Sequence, residues 1–385
     1  MYLSREEERM LSGELGEAVA RAMELLVKIG EALGAERLVE ITHAHISGVS
    51  YFNIGDFGLE FIEDMLNTRA RFSVFTTANP HSVLASYGGR GLSTEVCEKQ
   101  LRIVSALRKM GARSFTCAPY YVRKPSIGEH LAWAESSAVL YANSVLGAVT
   151  NRETGPTALL SGVCGRTYFG EAHRGLPAEV EFVIEVEKPE DPSEAGAYGL
   201  LVGELVGRSV PVVRGLSQYP EYFLKEFLAA FATHSPAHLA ILEDVTPGFG
   251  GVETSRAERI SLTKSDLLKM YSDIGSCSSP LYLIGCPHLS LEELDYVLPR
   301  VKDVKEGELW VTIGEGVPQH LAAERVRGLK VLPGSCAVTA RLDLLGVDCV
   351  ITDSAKALVY IPKLAGVRAY LVRREVLLEM VSSGE

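Results

Sequence analysis

Apolar residues recur along this chain at two periods, and the period marks the elements. Between Gly16 and Leu33, Val19, Met23, Leu26 and Ile29 return near one face of a 3.6-residue repeat, which predicts an amphipathic helix. Leu3–Leu11 precedes it, with Ser4 placed as an N-cap before Arg5, Glu6 and Glu7. Arg37–Ile41 and Ser73–Thr77 are short strand-like runs, and Leu59–Leu66 between them reads as a helix. Ala112–Thr116 is another short strand, followed by a helical pattern over Leu131–Val145 that is rich in Ala and Ser. Val180–Glu187 alternates around Phe182, Ile184 and Val186, as a strand does. Gly196–Val206 is apolar and punctuated by glycine without a phosphate-binding fingerprint, which predicts a packing helix. Tyr222–Ala232 is an amphipathic helix and His238–Leu242 a strand.

The rhythm then becomes more regular. Leu281–Ile284, Glu308–Ile313, Leu329–Leu332, Asp348–Thr352 and Arg368–Val372 are short apolar strands, and several end in a polar or cysteine-bearing turn. Such a series predicts a parallel α/β module. At 385 residues the chain exceeds the usual single-domain size. We divide it into an N-terminal α/β region (1–110), a central region (111–265) and a C-terminal α/β module (266–385).

Composition narrows the function classes. Hydrophobic residues make up 47% and charged residues 23%, which supports large cores and argues against wholesale disorder. Lys and Arg number 38 against 49 Asp and Glu, a net charge of -11, and no basic tail or stripe is present. Nucleic-acid binding is therefore disfavoured. The acidic start MYLSREEERMLSGELG and the lack of a membrane-spanning apolar run predict a cytoplasmic protein that does not enter a membrane. Seven scattered cysteines are not a disulfide framework.

Candidate chemistry collects where apolar strands end. His43 and His45, at i and i+2 on an extended segment, point to one side; metal ligation, a loop over a substrate and local hydrogen bonding all fit them. Arg90 sits in the glycine-rich stretch Tyr87–Gln100 and suits an anion. Cys117, Cys286 and Cys336 lie in the pieces TCAPY, GCPH and GSCA, each after a short apolar strand and beside Gly or Pro. Three loop thiolates suit an iron–sulfur cluster or a zinc ion, and buried small hydrophobes are the plain alternative. Glu135 falls near the helix face shared by Ser136 and Asn143, where a buried carboxylate demands a partner. The Arg152 guanidinium offers a fork for carboxylate or phosphate, and Lys356, after ITDS, stands at a predicted helix start.

The run CAPYYVRKPSIGEHLAWAESSAVLYANSVLGAVTNRETG resembles the signature of the aconitase X family, and GCPH and ITDSAKALVY resemble its later motifs. The resemblance spans nearly the whole chain. It implies aconitase-like three-layer α/β/α units around an interdomain active-site cleft. It also implies a hydro-lyase carrying an iron–sulfur cluster, of [4Fe–4S] form with one iron free of cysteine, on Cys117, Cys286 and Cys336. The paired CxxC ligands of ordinary aconitase are absent here. Fused members carry a small swivelling domain that this chain does not resemble, so a separate small subunit is the implied partner, with the proton-removing serine expected there. The implied reaction is dehydration of (R)-5-phosphomevalonate to trans-anhydromevalonate 5-phosphate in a modified mevalonate route. Hydroxyproline dehydration within the same family and a zinc-stabilised non-catalytic subunit are the alternatives. On this reading Asn143, Ser144, Arg152, His43 and His45 serve catalysis. Arg90, Arg152 and Lys356 bind the phosphorylated β-hydroxy acid.

Overall fold

Three all-parallel sheets, each drawn from its own stretch of chain, carry the architecture of the computed structural model, which describes residues 1–82, 93–271, 273–317 and 326–383. The first sheet aligns Phe75–Ala78, His43–Ile46, His130–Trp133 and Val149–Thr150, so its strands run second, first, third, fourth in chain order. The second aligns Ile241–Leu242, Val212–Arg214, Phe182–Val186 and Glu258–Leu262. The third holds five strands, Leu329–Pro333, Glu308–Ile313, Pro280–Leu289, Cys349–Thr352 and Arg368–Leu371. Helices cover the sheets, because parallel strands buried on both faces need apolar cover. The expected α/β class with flanking helices is what forms.

Two helices fill the middle. Pro192–Val206 and Glu221–His234 are buried along most of their length. Their backbones come so close that a Cβ at Gly199 would stand 2.1 Å from the Phe227 carbonyl oxygen. Any larger residue there forces the helices apart, which explains the glycine punctuation of an otherwise apolar run. The predicted Ser4 cap forms, as a capping box with Glu7, and Ser290 makes a second capping box with Glu293.

Some elements differ from expectation. Leu131–Val145 is not one helix. His130–Trp133 is a strand, and the helix begins at Ser136 behind Glu135 as N-cap, continuing as a wider π turn over Ala142–Leu146. A short run buried on both faces has no periodicity to separate strand from helix. His43 and His45 do not lie in a loop; they sit in the central strand of the first sheet, fully buried. Ala112–Thr116 runs beside Phe75–Ala78, bonding through Arg113 N and Thr116 N, but closes only an isolated bridge. Among the described residues no helix is long and apolar enough to cross a membrane.

Candidate active site

In open parallel sheets, ligands gather outside the carboxyl ends of strands where the strand order reverses. The first sheet reverses between His43–Ile46 and His130–Trp133, and Glu135 follows the second of these. The third reverses between Pro280–Leu289 and Cys349–Thr352, with Cys286 near the end of one and Ser354 and Lys356 beyond the other. These two switch points meet. Ser335–Cys336 pairs in parallel with His81–Ser82, and Ser50 Oγ donates to the Thr339 carbonyl, 3.2 Å. Lys356 Nζ donates to Glu135 Oε1 at 2.5 Å and to Ser137 Oγ at 3.3 Å.

Three cysteines border that junction. Cys286 lies within electrostatic reach of Cys117, Cys336 and Lys356. Burial pushes the Cys117 thiol up to about 12 and raises Cys286 and Cys336 as well, while Lys356 opposes the rise at all three. His288 stitches their segments together. Its backbone N–H donates to Cys117 Sγ, 3.2 Å; its Nδ1 meets Thr116 Oγ1, 3.2 Å; its Nε2 meets the Ser335 carbonyl, 2.9 Å. Burial holds its imidazole down at about 4, hence neutral. Ser354 Oγ donates to the Cys286 carbonyl while capping the helix that carries Lys356.

Beneath the Cys286 turn is a buried ionic network that sequence reasoning missed. Lys225 Nζ donates to the His288 carbonyl, 3.2 Å, and to Glu293 Oε2, 2.5 Å. Arg374 spans Glu293 and Asp353. The sole advance sign was Glu293 at the third position of a capping box. Asn79 was also undervalued: its Nδ2 donates to Glu135 Oε2, 2.7 Å, and its Oδ1 meets His45 Nε2, 2.8 Å. His45 Nδ1 and His43 Nε2 both meet Thr77 Oγ1, at 2.8 and 2.9 Å.

Other expected site residues have different employment. Arg152 Nη1 donates to the Ser235 and Ala237 carbonyls and Nη2 to that of Ala232, so the fork closes the end of the helix Glu221–His234. Asn143 bridges the Thr150 backbone to the His238 carbonyl. Ser144 Oγ accepts from Ala240 N. Both therefore tie the first sheet region to the second. Arg90 lies outside the described residues.

The donor set fits an iron–sulfur cluster. A tetrahedral zinc, with Zn–S near ~2.3 Å, draws thiolates to within about 4 Å of each other. Among the described residues, one group alone brings three donors within 4.8 Å, namely Cys277, Asp348 and Cys349, where the two sulfurs are bonded to each other. Cys117, Cys286 and Cys336 are not drawn together in that way, and all three feel the Lys356 ammonium, which suits a multi-iron group better than a single ion.

Parallel sheets joined near their switch points, with three buried cysteines and a buried lysine close to the junction, have the build of a metal-dependent α/β enzyme of aconitase-like class. The chain belongs to the aconitase X family: the family models for its first, second and third domains match residues 1–173, 180–272 and 280–383. The phosphomevalonate dehydratase large subunit of Aeropyrum pernix is 39% identical, over 99% of this chain and 100% of that one. The cis-3-hydroxy-L-proline dehydratase of Pseudomonas aeruginosa is 31% identical over 94% of this chain but 66% of its own length. The crystal structure of Thermococcus kodakaraensis aconitase X in its holo-form superposes with a TM-score of 0.88 at 34% identity, covering 99% of this chain and 100% of that one.

Proposed function

We propose that the chain is the large subunit of a hydro-lyase that dehydrates (R)-5-phosphomevalonate to trans-anhydromevalonate 5-phosphate in the cytoplasm, working with a small swivel-domain partner. The observation that carries the reading is the meeting of Cys117, Cys286, Cys336 and Lys356 where two switch points join. End-to-end similarity to phosphomevalonate dehydratase large subunits favours this substrate over hydroxyproline, whose dehydratase extends well beyond the matched region.

Held by the three cysteines, the cluster would supply a Lewis acid for the departing hydroxyl. The chain's own residues do the rest that can be assigned. Lys356 is a fixed cation; burial alone would lower its pKa, but Glu135, Cys286 and Cys117 raise it, so it stays charged beside the thiols. It can stabilise the negative charge that grows as the proton next to the carboxylate leaves. Both Glu135 oxygens already accept from Lys356, Asn79 and Ser137, which suits a fixed anion rather than a proton-removing base. Burial acts to raise the Glu135 pKa, but Lys356, Asn79 and Ser137 overcome that and hold it at about 2. The proton-removing group is expected on the partner.

The deciding experiment is anaerobic co-production with the partner, followed by product analysis from 5-phosphomevalonate and from cis-3-hydroxy-L-proline. Turnover of the first alone is expected. Turnover of the second alone would reassign the substrate. Full activity without the partner would remove it from the scheme, and stoichiometric zinc without dehydration would favour a non-catalytic subunit.

A further inference from the structure

The side chains leading away from Lys356 into the first sheet have hydrogen positions that follow from elementary donor and acceptor rules. Glu135, ionised, can only accept. Asn79 must therefore turn its amide NH2 toward Glu135 Oε2, which leaves its carbonyl Oδ1 facing His45 Nε2. That nitrogen must carry a proton. Burial holds the His45 pKa down at about 4, against the pull of Glu135 and Asn79, so the ring is neutral and its Nδ1 is a bare acceptor. Thr77 then donates its single hydroxyl proton to His45 Nδ1, and its oxygen accepts from His43 Nε2–H. His43 Nδ1 is left as a buried acceptor with no partner, and its ring is wedged edge-on between Phe75 and Trp133.

Every donor in this series points the same way, toward Glu135. The histidines are fully buried on one strand, and Thr77 lies on its neighbour. We infer that His43, Thr77, His45 and Asn79 act as one polarised positioning chain that fixes Glu135, and through it Lys356, beside the three cysteines. None of the four touches a thiol, so they are positioning residues. Their work is to hold the carboxylate in one rotamer, so that the ammonium it binds keeps a constant place. The i,i+2 histidine pair gains a function here that neither metal ligation nor a loop role gave it.

The inference rests on the reading of the centre given above, and its first test is independent of that reading. In full-length protein with 15N-labelled histidine, long-range proton–nitrogen correlation reports tautomers without substrate or cluster. Both His43 and His45 are expected to be neutral and protonated on Nε2 at pH 7. A His45 ring protonated on Nδ1, or charged, overturns the chain. The second test uses the assembled holoenzyme. Thr77→Val strands the His43 donor and the His45 acceptor; kcat should fall about tenfold with KM within about twofold. The cluster's midpoint potential should shift as well, and Thr77→Ser should restore both. If Thr77→Val does not fold, Asn79→Asp, which removes the donor to Glu135 and adds a like charge, should move the potential in a folded protein. A folded Thr77→Val or Asn79→Asp enzyme with unchanged kcat and potential overturns the inference.

Discussion

Lys356 Nζ and Glu135 Oε1 lie 2.5 Å apart, although 221 residues separate them in the chain. The pair joins the switch point of the first sheet to that of the third, with side chains only 11% and 13% exposed. Removing one partner of a buried pair leaves the other charge uncompensated, at a cost of about 3–5 kcal/mol. Lys356→Met should therefore lower the midpoint of thermal unfolding sharply and abolish dehydration. The double variant Lys356→Met/Glu135→Gln should recover most of the stability and none of the activity. Calorimetry with turnover assays on the assembled enzyme separates the two effects.

The same pair sets an acid limit. Glu135 has its pKa depressed from 4.5 to about 2 in the folded protein, because Lys356, Asn79 and Ser137 outweigh its burial. A depressed carboxyl contributes stability above its unfolded pKa and loses it as pH falls through the folded value. Denaturant unfolding should thus show a loss between pH 4.5 and about 2. Glu135→Gln should lack that component of the slope.

Cysteine substitutions test the centre directly. Cys117→Ser, Cys286→Ser and Cys336→Ser should each lose most bound iron and sulfide and the associated EPR signal. Cys97→Ser and Cys164→Ser should keep them, since one lies in the helix Thr94–Met110 and the other is buried at the end of Gly155–Cys164. Cys277→Ser tests the remaining cysteine group; its partner Cys349 starts a strand whose far end faces the centre, so iron content should be unchanged.

Which parts were legible follows from how local each signal is. The strand-and-turn rhythm after residue 280 is carried by consecutive residues, and it gave both the parallel third sheet and the turns of Cys286 and Cys336. Ser4 and Ser290 lie three residues from the glutamates that complete their caps. The partner of Glu135 was invisible because nothing local connects it to Lys356. His43 and His45 were seen to share a side, but not to occupy a central strand, since two polar residues in a four-residue run mask its burial. Leu131–Trp133 was misread for the converse reason, as an apolar run without period.

Arg152 illustrates a residue type read correctly and a destination missed. Its fork fits anions, yet backbone carbonyls at and just past a helix end offer the same negative potential, and it donates to three of them, Ala232, Ser235 and Ala237. Arg152→Met should cost about 1–3 kcal/mol of stability. The KM for substrate should stay within about twofold, because the guanidinium's donors already go to these three carbonyls. A large rise in KM at unchanged stability would return Arg152 to the binding site.

Glu153 provides a pH dependence of opposite sign, away from the centre. It is buried, with Oε1 accepting from Thr167 Oγ1 at 2.6 Å and Asn151 Nδ2 at 3.1 Å, and with the Tyr168 hydroxyl close by. Burial raises its pKa from 4.5 to about 7, against the lowering effect of Thr167, Asn151 and Tyr168. A carboxyl whose folded pKa is raised favours folding while protonated. Its contribution is present in full below pH 4.5, shrinks as pH rises toward about 7, and beyond that the buried charge is a constant burden. Glu153→Gln keeps an acceptor for Thr167 and removes the charge. The variant should match the parent near pH 4.5 and exceed it at pH 8, by about 1 °C in unfolding midpoint per kcal/mol relieved. An equal loss of stability at both pH values would mean that the Thr167 and Asn151 bonds outweigh the buried charge.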